Sequence, residues 1–80
     1  MPDGLNEYRH DPLLWCAVAV REQNEFDIYD DEQCRPENVK RLVERTMEFI
    51  TLCFEDEDLP VPSATQVLQQ TLKRLEIWRT

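Results

Sequence analysis

Carboxylates are the most concentrated reactive groups in this chain. Of its 17 acidic residues, ten fall in two short segments: Glu22, Glu25, Asp27, Asp30, Asp31 and Glu32 in the first, and Glu55, Asp56, Glu57 and Asp58 in the second. Oxygens grouped this way can coordinate a hard cation, share a proton in acid–base catalysis, or present negative charge to a basic surface. The stretch "DIYDDE" superficially suits calcium. It lacks the loop glycine and the distal glutamate of such a site, and Glu32 and Asn38 stand in those places. Asp30 and Asp31 are adjacent in sequence rather than opposed across a cleft, which argues against a catalytic pair. His10, the one histidine, has no partner at ligand spacing, and Cys16, Cys34 and Cys53 form no C-x-x-C pair. There is no phosphate-binding glycine loop and no nucleophile–histidine constellation. The expectation is a protein that is not an enzyme, with no catalytic residue, no cofactor and no metal.

The third option remains, and placement favours it. Asp30 to Glu32 precede a helix N-terminus, where acid is stabilising. The "EDED" run, Glu55 to Asp58, follows a helix C-terminus, where each negative charge costs about 0.3–1 kcal/mol at low salt. Helix chemistry therefore does not account for "EDED". Solubility is the plain explanation for such a run; a surface that meets a basic site on another protein is the specific one. A net charge of −8 argues against direct binding of nucleic acid or of an anionic membrane.

The elements that must position these acids read as follows. Val39, Leu42, Val43, Met47, Phe49, Ile50, Cys53 and Phe54 fall within an arc of about 160° if 36–54 is a helix. "SATQ", Ser63 to Gln66, matches a capping box, and a second helix follows to Trp78 with Ala64, Val67, Leu68, Leu72, Leu75 and Trp78 as its stripe. Two prolines in "EDEDLPVP" separate the helices. The segment 13–29 is ambiguous. Asp11-Pro12 suits a helix start, but residues 13–20 would be apolar all round. As a hairpin, Val18 and Val20 alternate with Ala17 and Ala19, Phe26 and Ile28 flank Asp27, and Asn24 takes the left-handed place in a Glu22–Asn24 loop that sets Arg21 opposite Glu25.

The expected architecture is therefore α+β: a ββαα domain over 13–80, with an N-terminal hairpin packed on two antiparallel helices and an arm over 1–12. An all-α three-helix domain is the alternative. In the hairpin arrangement Trp15, Ala17, Ala19 and Tyr29 form an apolar back that needs cover, from the arm, a partner or a second copy in a homodimer. A domain this small buries only roughly 60% of its unfolded surface, which makes self-association a standing option. The helix over 36–54, about 28 Å long, would carry "EDED" to the hairpin turn beside Glu22 and Glu25, leaving Asp30 to Glu32 at the other end.

No run is long enough to span a membrane, and the opening segment lacks the basic start and apolar core of a signal peptide. A cytoplasmic location with reduced thiols is expected. In size and charge the chain is similar to the short acidic accessory proteins of phages and other mobile elements. Several of those block nucleic-acid-handling machinery by occupying its basic grooves, and the likeness transfers no residue role. Two functions follow as expectations. The first is an inhibitor or regulator whose acidic clusters compete, as a nucleic-acid mimic, for a basic site on such a partner. The second is a small homodimeric adaptor or assembly module that binds through the apolar hairpin face.

Overall fold

The computed structural model describes residues 4–80. Helix α1 spans Pro12–Gln23, α2 spans Pro36–Asp56 and α3 spans Ala64–Trp78, preceded by one 3₁₀ turn at Leu5–Tyr8. Among the described residues there is no strand. The hairpin, and with it the ββαα architecture, is thereby overturned, and the three-helix alternative fits. Of the arm expected over 1–12, residues 1–3 lie outside the described residues, and Leu5 is buried in the core.

The segment that alternates like two strands begins as α1. The Asp11 carboxylate accepts from the Leu14 backbone N–H at 3.1 Å, and Pro12 occupies the first turn, so the start signal is complete. Apolar residues run all round α1 because it is the central element. It packs on α2, on α3 and on the 3₁₀ turn, and Trp15, Cys16, Ala17, Ala19 and Val20 are all buried. Only Leu13, Leu14 and Val18 of the apolar run are left partly exposed, so α1 has little need of a polar face over that stretch. Burial also pushes the Cys16 thiol up to about 12.

The residues expected in a hairpin loop instead end this helix. Glu25, not Asn24, is left-handed, with φ 49°. The Phe26 N–H reaches back to the Arg21 carbonyl at 2.9 Å, closing α1 in a Schellman motif. Phe26 and Ile28 are buried as expected, but from the α1–α2 loop rather than from a strand. The apolar back assigned to the hairpin is not formed. Trp15 is 1% exposed, Ala17 and Ala19 are buried beside it, and Tyr29 stands in the loop at 70% exposure. Leu52 and Ile77 do project outward from their helices.

Helices α2 and α3 follow their sequence patterns closely. Val39, Val43, Thr46, Ile50 and Phe54 are buried along α2, and Val67, Thr71 and Leu75 along α3. Ser63 and Gln66 exchange both capping-box bonds, at 3.1 and 2.9 Å. The ends meet in a consistent order. Arg21 lies over the Trp78 ring at 5.1 Å, joining the C-terminal ends of α1 and α3. Cys34 and Pro36, at the start of α2, share a hollow with Leu75 and Arg79, and Phe54, near its end, shares one with Pro12 and Leu13. Helix α2 therefore runs antiparallel to both others. Asn24 fixes the register of α1 on α2, its amide donating to the Val20 carbonyl and the Thr46 hydroxyl, each at 2.8 Å. Trp15 packs on Phe49 and Phe54, both with ring centroids 5.9 Å away, and its indole N–H has no hydrogen-bond partner among the described residues.

Candidate functional site

This order of ends places the two acidic segments apart. Glu22, Glu25, Asp27, Asp30, Asp31 and Glu32 lie where α1 ends and the loop into α2 runs, and Glu55 to Asp58 lie at the far end of α2. A helix of that length spans about 31 Å. The hairpin would have set "EDED" beside Glu22 and Glu25 and left Asp30 to Glu32 opposite. With α1 a helix, the whole first segment stays at one end. Between the segments the outer face of α2 alternates in sign, Lys40, Arg41 and Arg45 standing among Glu37, Glu44 and Glu48, so no unbroken negative track joins them.

The first segment is largely bound into its own loop. Asp27 accepts from the Tyr29 N–H at 3.0 Å. Asp30 accepts from the Glu32 N–H at 2.9 Å and from the Gln33 amide at 3.2 Å. These are turns in which a carboxylate replaces a backbone acceptor. Gln33 returns the tie by accepting from the Asp27 N–H at 3.1 Å. Asp31 pairs with Arg79 of α3, and Glu32 lies 3.4 Å from Arg35. The hydrogen bond that Arg79 donates to the Asp31 carboxylate holds the guanidinium further toward its charged form. Cys34, half-buried in the same loop, donates to the Ile28 carbonyl, and burial pushes its thiol up.

The second segment is different. Glu55, Asp56, Glu57 and Asp58 are all exposed, and none of their carboxylates makes a hydrogen bond or ion pair among the described residues. Their backbone is nevertheless well fixed. Asp58 is left-handed, with φ 55°, its N–H bonded to the Glu55 carbonyl at 3.1 Å, and the Leu59 N–H bonds the Phe54 carbonyl at 2.9 Å. This is a second Schellman motif, with an acid where glycine is the usual occupant. Four charges are thus displayed on a rigid turn at a helix end whose dipole opposes them. Their field is felt inside: burial raises the Cys53 thiol, and Asp56 and Glu57 push it the same way.

Phe54 and Leu59, which bracket the acids, both line an open hollow of about 290 Å³ whose other walls include Pro12, Leu13, Val61 and Pro62. Nothing in the sequence pattern signals it, because its walls come from segments more than forty residues apart. A hollow of about 330 Å³ beside the first segment is polar in character, with Asn24, Gln33, Asn38, Arg41 and Arg45 around it, and the three amide groups are already tied to the fold.

Among the described residues no group of three or more histidines, cysteines or acids is placed to hold a metal ion. No described helix is long and apolar enough to cross a membrane. The three cysteines are free. No protein-family model matches the chain, and no curated protein or solved structure is significantly similar to it.

Proposed function

We propose that this chain is a non-enzymatic protein-binding protein that inhibits or regulates a nucleic-acid-handling partner by placing Glu55, Asp56, Glu57 and Asp58 on the partner's basic site. One observation carries the reading: four exposed, unpartnered carboxylates stand on a fixed turn at a helix end that electrostatically disfavours them. Charge held against the local field, and not used by the fold, is available to a cationic surface. A site evolved for phosphates, which recur every few ångströms, is a natural match for carboxylates one residue apart. Asp27, Asp30, Asp31 and Glu32 serve the loop first and are the secondary contact, about 31 Å away. A cytoplasmic location belongs to the same reading, supported by three thiols left free. The adaptor alternative loses support, since Trp15, Ala17 and Ala19 offer no surface.

Electrostatic capture of this kind is fast and weakens with salt. The test is affinity capture from the native host, with bound proteins identified by mass spectrometry. A nucleic-acid-binding protein should be retained at low salt, be displaced by added DNA or RNA, and be lost when all four residues are replaced by lysine while circular dichroism is unchanged. Retention by the four-lysine variant at wild-type level sinks the reading.

A further inference from the structure

The turn that displays the four acids also sets Phe54 and Leu59 together on the wall of the apolar hollow. The acids and two walls of the hollow belong to one stretch of chain, closed by a single backbone motif. From this we infer that the hollow is the anchor pocket of the binding site. It receives one aliphatic or aromatic side chain of the partner, and that side chain is flanked in the partner's own sequence by lysine or arginine, which lie on Glu55 to Asp58. The inference rests on the reading that this end of α2 binds a basic protein, and it adds what sits between the charges.

Size, chemistry and symmetry commit to that occupant. At about 290 Å³ and open to solvent, the hollow lies at the lower limit of small-molecule sites, about 300 Å³, and suits a side chain offered by a larger body. Its walls carry no charged group, and the exposed acids Glu55 to Asp58 stand in the chain between two of those walls, Phe54 and Leu59, so an occupant with an apolar side chain and cationic neighbours satisfies both. Val61 is 41% exposed, which keeps that wall accessible. A second copy of the chain fits badly. Two-fold packing of this face on itself sets Glu55 to Asp58 against their own image, between molecules that each carry −8.

Two labelled peptides test this: identical lysine- and arginine-rich segments, one with a central leucine and one with serine there. Each is titrated onto the full chain by fluorescence anisotropy at low salt. The leucine peptide is expected to bind about tenfold more tightly, with amide shifts at Leu13, Leu59 and Val61 in proton–nitrogen correlation spectra. Val61→Ser should erase most of that advantage and leave the serine peptide unaffected. Equal affinity of the two peptides for the unmodified chain overturns the inference. If both are then lost on replacing Glu55 to Asp58 with lysine, the charge reading survives; if neither is lost, it falls too. Absence of binding by either peptide overturns both. A dimer that Val61→Ser dissolves makes the occupant a second copy, and the inference fails. The peptide comparison is made on the unmodified chain, so a misfolded variant does not decide it.

Discussion

The two acidic ends of this molecule have the same composition and opposite physics. In the α1–α2 loop, Asp27 and Asp30 answer backbone donors and are structural parts, and Asp31 has a partner in Arg79. At the end of α2, Glu55 to Asp58 answer no donor, and the backbone beneath them is closed by its own hydrogen bonds. Local charge density does not separate scaffold from surface. What separates them is whether an unsatisfied N–H lies within reach of each carboxylate.

The contrast breaks most readily in the loop. Replacing Asp27 and Asp30 together by alanine should cost about 2 kcal/mol in urea unfolding, because three donors lose their acceptor. No loss would mean the loop holds without them. The opposite sign is expected at the other end. Amide replacement of Glu55, Asp56, Glu57 and Asp58 should raise stability by about 1 kcal/mol at low salt, and the gain should fade as salt is added. A destabilised variant there would mean the acids serve the fold after all.

Finer tests compare the two left-handed residues. Glu25→Gly and Asp58→Gly should each stabilise by about 0.5–1 kcal/mol, with Glu25→Gly the larger, since aspartate tolerates this conformation better than glutamate. Loss of stability at both would remove strain from the account, and equal gains would remove the difference between the two side chains. The smallest effect belongs to Arg79→Ala. Its guanidinium partners an exposed Asp31, and solvent screens such pairs, so the unfolding midpoint should not move measurably.

How much of this was legible follows from where each signal resides. Helices α2 and α3 each bury one face, so periodicity and the Ser63–Gln66 box declare them. Helix α1 is apolar on every face over 13–20, and a continuous apolar run erases the period that distinguishes helix from strand. One local signal did point to the helix, the Asp11-Pro12 start, but the alternation of Val18, Val20, Phe26 and Ile28 outweighed it. Asn24 misled because its value is tertiary. It tolerates a turn, yet here its amide bridges α1 to Thr46. At the site, the charge of Glu55 to Asp58 was plain, and so was its unfavourable position. That Asp27 and Asp30 are acceptors within the loop was not, because Glu55, Asp56 and Glu57 also stand two residues before an N–H and accept from none. The hollow was not, since it exists only once Pro12 and Leu13 are folded against 59–62.

The packing of Trp15 has an optical consequence. The chain carries two tryptophans in unlike surroundings. Trp15 is sealed between Phe49 and Phe54 with its indole N–H unbonded, a setting that gives short-wavelength emission shielded from aqueous quenchers. Trp78 is half-buried beneath the Arg21 guanidinium, and quenchers reach it. Phe54 is common to the shell of Trp15 and to the wall of the hollow. An event at the acidic end of α2 therefore registers in the blue component, an event at the Arg79 end in the red one, and the unlabelled chain reports by colour which of its ends has been touched.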